Sequence, residues 1–399
     1  MAEWSAEEYS GSPISELVVK LHERCNLSCD HCYMYEAADQ HWRSRPVTMA
    51  AATVDRVAAR MAEHATAHRL DRVRIVLHGG EPLLAGVDGV EHALRAFRAA
   101  AGGAVRVAFG IQTNGILLDD DFLRLFRRYD VRVGISIDGN RSANDRHRRY
   151  ANGRSSYDEV VRGIDRLARP ENHAIYGGLL CTVDVANDPI DTYESLLAHR
   201  PPRVDLLLPH GNWTFPPPGL AGRGPGPDQP TPYGDWLIAI FDRWYDAPRR
   251  ETGIRLFTSI IDLILGGASD TEAIGPGIPA SIVVESDGAY EGNDALKTTS
   301  PDGAATGLSV FTATIDEVVG HPAVSPARAG LASLGPTCKA CDLVTVCGGG
   351  LRAHRFAAGE GFTRPSVFCA DLYLLVAHIR ARVTADLHAR LAVSGQGAR

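Results

Sequence analysis

No stretch of this 399-residue chain approaches the roughly 20 consecutive apolar residues a membrane-spanning helix needs. The opening residues, Met1 to Pro13, are polar and acidic. They lack the charged-then-apolar order of a signal peptide, so a cytoplasmic location is expected. Basic excess is missing too: 41 Lys and Arg stand against 48 Asp and Glu, a net charge of −7. Nucleic-acid binding normally needs a basic face, so neither nucleic acid nor membrane is an expected partner. The one basic run, Arg146-His147-Arg148-Arg149, is short enough to be a solvated stretch or a small-anion site. No internal repeat, coiled-coil heptad or leader-binding domain is recognisable, and only about 15 residues precede the first apolar run.

What is present is a regular alternation. Leu17–Leu21, Val73–Leu77, Val105–Ile111, Val131–Ile137, Ile175–Val183 and Val204–Leu208 read as strands. Val47–His68, Val87–Ala101, Asp119–Tyr129, Ser155–Leu167 and Ile190–Ala198 read as the helices between them, with a Ser cap expected before the fourth. Strict β/α alternation implies a parallel sheet with right-handed crossovers, here an α/β fold of partial (β/α)6 TIM-like barrel type over 15–212. An N-terminal arm (1–14) precedes it. A Pro/Gly-rich loop, Pro216–Pro232, and helices at Trp236–Tyr245 and Arg255–Leu265 fill 213–280. A compact cysteine-bearing region follows (281–371), then a closing helix (372–399).

Eight cysteines in a reducing compartment are better read as metal ligands than as disulfides. Cys25, Cys29 and Cys32 sit just past the first strand, at the rim where β/α barrels place their chemistry. Three thiolates on a [4Fe–4S] cube leave one iron open to another ligand. A zinc site is the alternative, although zinc favours paired C-x2-C units. Cys338, Cys341, Cys347 and Cys369 supply four thiolates, enough to close a second cube or to hold zinc. Cys181, alone in an apolar strand, reads as an inert core thiol.

The C-x3-C-x2-C run, followed by His78-Gly79-Gly80-Glu81-Pro82, resembles the radical S-adenosylmethionine (SAM) superfamily. That resemblance implies that SAM fills the open iron position and is cleaved to a 5′-deoxyadenosyl radical. Gly79, Gly80, Glu81 and Pro82 then match the motif that receives the SAM amino group. Ser136, Asp138 and Arg148 match the stretch that holds the SAM ribose and carboxylate. Asn114, in Thr113-Asn114-Gly115, matches the third strand end. His31, with its neighbour Tyr33, stands where an aromatic residue usually lies near adenine, and His78 adjoins the glycines.

The second cysteine set resembles the SPASM, or twitch-like, auxiliary module of peptide-modifying members. A full module carries two auxiliary clusters. Here Asn293 and Leu351 occupy positions where the pattern wants cysteine, and no cysteine lies in the stretch just before Gly288. Two [4Fe–4S] clusters in total are therefore expected, one SAM-binding and one auxiliary.

Four longer stretches together resemble the FxsB-type radical SAM/SPASM peptide maturases over nearly the whole chain. They are Arg24–Tyr33, Leu206–Trp213, Asp287–Lys297 and Cys347–Cys369. The resemblance implies a ribosomal precursor peptide as substrate, a flavodoxin- or ferredoxin-type reductant, and a three-residue cyclophane. In such a product an aromatic ring carbon is joined to the Cβ of a residue two positions later. Asp294, which aligns with the acidic residue of sulfatase maturases, is the first candidate for the base that takes the ring proton; His210, just past strand six, is the second. Thioether or ether crosslinking, or side-chain oxidation of the sulfatase-maturase kind, would use the same scaffold. A non-catalytic iron–sulfur or zinc protein is the reading from a different class.

Overall fold

The computed structural model describes residues 13–226, 228–277 and 280–396, with side chains to residue 391. The expected N-terminal arm thus lies almost wholly outside the described residues, as do the last three positions of the closing helix.

Six strands stand side by side in chain order, all parallel: β1 (Glu16–His22), β2 (Arg72–Gly79), β3 (Arg106–Thr113), β4 (Val131–Ser136), β5 (Tyr176–Thr182) and β6 (Arg203–Leu207). Six helices connect them: α1 (Ala51–Ala67), α2 (Gly86–Ala100), α3 (Asp120–Tyr129), α4 (Arg141–His147), α5 (Tyr157–Leu167) and α6 (Pro189–Leu197). Val19, Ile75, Ile111, Val133 and Ile135 carry the strands into one core with Val57, Leu94, Phe97, Phe126 and Ile164 of the helices. Burying each such side chain contributes about 1.5–3 kcal/mol.

Several sequence expectations are corrected locally. α1 begins at Ala51 rather than Val47, because Thr48 bridges to His22 and holds the preceding residues extended. α4 went unanticipated; it is a two-turn helix whose start Asn140 caps by accepting from Ala143 N. The Ser cap of α5 takes another form. Ser156 at the cap turns its hydroxyl to Arg148 O, and Ser155 Oγ accepts from Tyr157 N.

The sheet continues beyond the six strands on both sides. A short β7 (Gly253–Ile254), between α7 (Pro232–Tyr245) and α8 (Arg255–Ile264), pairs with β6. On the other side β8 (Ser281–Val284) pairs in parallel with β1, Leu17 opposite Ile282, and leads into the antiparallel β9 (Ala289–Glu291) and β10 (Ala305–Ser309). The ten-stranded sheet is open, with β10 and β7 as its edges. The cysteine-bearing region thus begins as an extension of the barrel sheet. It continues through α9 (Ile315–Gly320), α10 (Pro336–Lys339) and α11 (Val344–Cys347) to α12 (Cys369–Gln396).

α12 is tied to α7 at its start. Asp371 Oδ1 accepts from Tyr233 N and Gly234 N, and Asp371 pairs with Arg223 at 2.8 Å. A carboxylate on free helix N–H groups is favoured by both hydrogen bonding and the helix dipole. This contact sets the position of Cys369, two residues earlier. Among the described residues no helix is long and apolar enough to cross a membrane.

Candidate functional site

The C-terminal ends of β1 to β6 converge on one cavity of about 260 Å³. Cys25, Cys29, Cys32, His31 and Tyr33 line it from the loop after β1, and His78, Gly79, Gly80 and Glu81 from the end of β2. Asn114, Ser136 and His210 line it from the ends of β3, β4 and β6, and Arg148 from the residue after α4. All three cysteines of the first set are therefore brought together with most of the expected cofactor contacts. Asp138, Pro82 and Asp294 are not in the cavity wall.

The cysteine loop is held by its neighbours. Leu27 N donates to Cys25 Sγ at 3.4 Å, and Ser28 N donates to Arg149 O. Asn114 Nδ2 donates to Asn26 Oδ1 at 2.7 Å and lies 3.7 Å from Cys25 Sγ. The β2 end packs against this loop so closely that a Cβ on Gly80 would lie 1.9 Å from Tyr35 Oη and 2.5 Å from Arg24 O. Burial pushes the thiols up, Cys25 to about 12 and Cys29 to about 11, so bare they stay protonated and binding metal releases their protons.

Glu81 is 1% exposed, and its carboxylate is already engaged by the protein. It accepts from Leu83 N, Thr113 Oγ1 and Asn114 N. The side chain therefore ties the ends of β2 and β3 together and caps the turn that Pro82 opens. Ser136 Oγ accepts from Gln112 Nε2. Asp138 stands behind the wall, accepting from Thr182 N at 3.0 Å and lying 3.8 Å from Arg148 and 3.7 Å from His31. The basic run thus splits. Arg146 pairs with Asp184, and His147 bonds Asp30 and Asp184, while Arg148 is buried. Its Nε has no hydrogen-bond partner, and the three cysteines lie within its field. A buried guanidinium with an open donor beside three thiols suits an anionic cluster and a carboxylate ligand.

Asp294 stands behind the cavity wall, reached through Lys20 of β1 and the wall residue Tyr33. Its Oδ2 lies 2.5 Å from Lys20 Nζ and accepts from Tyr33 Oη at 3.2 Å, and its Oδ1 is buried without a partner. Lys20 and its neighbouring charges hold this carboxyl below its usual range against the opposing effect of burial. His210 meets the Tyr33 ring edge-on at 5.1 Å; burial lowers it to about 4, and its Nδ1 has no partner. Tyr33 thus bridges the two candidate bases. His78, also lowered to about 4 chiefly by burial, lies with Nδ1 3.4 Å from Lys20 Nζ.

Sequence reasoning missed what stands behind Asp294. Arg45 pairs with Glu285 (3.3 Å) and Glu291 (2.5 Å), and Lys297 with Glu285 (3.0 Å) and Glu291. Lys20 did leave a signal, as the one charge inside the apolar run Leu17–Leu21. A lysine buried on a strand requires an anion, and the chain supplies it 274 positions away.

Cys338, Cys341, Cys347 and Cys369 line a second cavity, of about 340 Å³, between α10, α11 and the start of α12. Burial raises Cys347 and Cys369 to about 12. Arg355, 5% exposed and within the field of Cys338 and Cys347, has no hydrogen-bond partner at Nε or Nη1. A buried cation lacking a protein anion is costly, and four metal-bound thiolates would compensate it. Asn293 and Leu351 line a third, smaller cavity with Glu272, Arg328, Arg352 and Arg355 and no cysteine. That donor set does not fit an iron–sulfur cluster. Cys181 is 1% exposed in the core, as its apolar strand implies.

Residues 19–171 match the family model described as the Radical SAM superfamily. The serine-type anaerobic sulfatase-maturating enzyme of Klebsiella aerogenes is 28% identical over 372 residues, covering 89% of this chain and 84% of its own. The cysteine-type enzyme of Clostridium novyi is 23% identical over 278 residues, covering 69% and 72%. Among solved structures, native anSMEcpe with bound AdoMet superposes with a TM-score of 0.78 at 19% identity, covering 93% of this chain and 98% of its own. Streptococcus suis SuiB bound to precursor peptide SuiA gives 0.54 at 15% identity, covering 89% and 75%. At these identities the structural likeness establishes the fold.

Proposed function

We propose that this chain, built on a radical SAM fold, modifies a ribosomally made precursor peptide in the cytoplasm by joining an aromatic ring carbon to the Cβ of a residue two positions later. The observation that carries the reading is the pair of cysteine-lined cavities, with three thiols at the strand ends and four in the C-terminal region. The four sequence stretches of FxsB type support the crosslink itself. SuiB, solved with its precursor peptide, shares the fold.

When bound, SAM on the Cys25/Cys29/Cys32 cluster supplies a hydrogen-abstracting radical, and a cluster on Cys338, Cys341, Cys347 and Cys369 supplies an electron sink. The chain's own residues do the rest. Gly79 and Gly80 let the end of β2 close onto His22, Arg24 and Tyr35 and so hold the cysteine loop at the cavity. Arg148 offers its open Nε to an anionic group. Net crosslinking removes two hydrogens from the peptide: one hydrogen atom from Cβ, then one electron and one proton from the ring. The ring that has lost the electron is a strong acid, so a weak base suffices. Asp294 is kept ionised by Lys20, and His210 is kept neutral by burial with a free Nδ1. Both can accept a proton at neutral pH.

The test is anaerobic reconstitution with iron, sulfide and a flavodoxin- or ferredoxin-type reductant, then co-expression with the short open reading frame beside the gene. The reading expects roughly eight irons per chain, given two four-iron clusters. It also expects 5′-deoxyadenosine release and a peptide lighter by two hydrogens with an aromatic–Cβ bond. The similarity to the Klebsiella and Clostridium enzymes favours a second reading, side-chain oxidation of the sulfatase-maturase kind. A product that reacts with aldehyde reagents and carries no crosslink would establish it, with the same loss of two hydrogens from a serine, or with sulfur also exchanged for a water oxygen from a cysteine. Four irons plus one zinc would remove the auxiliary cluster from either mechanism.

A further inference from the structure

On the outer side of the barrel, α1 and α9 bring together three donors that line neither cysteine cavity: His64, His68 and Asp316. His64 and His68 lie one helical turn apart with ring centroids 4.4 Å from each other. Asp316, in the first turn of α9, places Oδ1 2.9 Å from His64 Nδ1 and 2.7 Å from His68 Nε2.

The tautomer of His64 is fixed by its other nitrogen. Nε2 lies 3.1 Å from the carbonyl oxygen of Ile14, which can only accept, so Nε2 carries the hydrogen. In the neutral ring Nδ1 then presents a lone pair. The residue is 4% exposed, and burial together with the neighbouring His68 disfavours a second proton against the opposing pull of Asp316. That lone pair faces a carboxylate oxygen across 2.9 Å, and Nδ1 has no hydrogen-bond partner. Two acceptors in contact repel unless a cation stands between them. A carbonyl orienting one imidazole is also the usual support of a metal-ligating histidine.

We propose that His64 Nδ1, His68 Nε2 and Asp316 Oδ1 form a binding site for a divalent transition metal of the zinc class, which clips α1 to α9. Two imidazoles and one carboxylate suit zinc or nickel and are poor ligands for magnesium or calcium. Tetrahedral coordination at about 2.0–2.1 Å spaces ligand atoms about 3.3 Å apart, so the carboxylate oxygen needs to draw back from each nitrogen by only about half an ångström, and all three atoms already lie within 4.8 Å of one another. His68 and Asp316 are 36% and 50% exposed and free to make that shift, and the open face admits the ion and a water ligand.

The experiment is equilibrium dialysis of zinc chloride against the fully reconstituted full-length enzyme, with zinc and iron counted together. One zinc per chain is expected beyond an unchanged iron content, with a rise in thermal midpoint and no such effect from magnesium chloride. His68→Ala and Asp316→Asn, both at exposed positions that leave folding intact, are each expected to weaken zinc binding at least tenfold and to abolish the thermal shift. The proposal fails if the enzyme takes up no zinc, or if uptake survives both substitutions. It fails equally if zinc enters only as iron leaves, which places zinc on the cysteines.

Discussion

Lys20 Nζ and Asp294 Oδ2 lie 2.5 Å apart, joining the middle of the first strand to a turn 274 residues later. The lysine side chain is fully buried, and the aspartate side chain is 14% exposed. Removing one partner of a buried pair leaves the other uncompensated and costs about 3–5 kcal/mol. Asp294→Asn is therefore expected to lower the thermal midpoint. Lys20→Met added to it should restore most of that loss by removing the stranded cation. Deoxyadenosine release should persist in both variants, while crosslinking disappears. Unchanged crosslinking in Asp294→Asn would remove Asp294 from the role of base and leave His210.

The pH dependence of this site follows from the same groups. Asp294 is depressed by Lys20, so its contribution is present above the unfolded carboxylate range and is lost only as pH falls through the lower folded value. Lys20 is raised, so its contribution is present below the unfolded value of 10.5 and is lost as pH rises through the higher folded one. The pair is therefore insensitive to pH through neutrality.

His210 behaves oppositely. Burial lowers it from 6.5 to about 4, so between those values the unfolded chain binds a proton that the folded chain refuses. Stability should fall as pH drops through that window, by up to about 3 kcal/mol. Thermal midpoints measured from pH 7 to pH 4 should decline less steeply in His210→Gln than in the parent protein.

Glu81 tests whether this carboxylate builds the site rather than filling it. Glu81→Gln places an amide N–H₂ against donors already bonded to the carboxylate, at a cost of about 1–3 kcal/mol. Weaker SAM binding measured by equilibrium dialysis, with iron content retained, is the expected result.

Gly80 tests the close approach of the second strand end to the cysteine loop. Gly80→Ala should reduce iron loading at the first site, because the added carbon meets both Tyr35 Oη and Arg24 O. Adding Tyr35→Phe removes only the hydroxyl contact, so iron content should not recover.

Cys341→Ala separates the two cysteine sets. Roughly four of eight irons should be lost, with SAM cleavage retained and crosslinking abolished. Full crosslinking in this variant would mean that the ring electron leaves by another route.

The β/α alternation was legible because each strand is a short apolar run ended by glycine or polar residues, and because α3 opens with its own cap at Asp119. The cysteines were legible because each set is closely spaced along the chain or matches a known pattern. α4 was not, since its seven residues are too few and too polar to show a helical period. The role of Glu81 was hidden as well. Its partners Thr113 and Asn114 come from the next strand, and no local pattern shows that they will consume its carboxylate.

The sequence by itself therefore determined the layered α/β architecture and both cysteine sets, since both rest on local spacing and burial preference. Only the tertiary structure decided which buried charges face one another: Lys20 with Asp294, and Arg45 and Lys297 with Glu285 and Glu291. The reason is physical. A charge withdrawn from water must find a partner, but its field fixes only that a partner exists, and the packing of distant segments fixes which one it is.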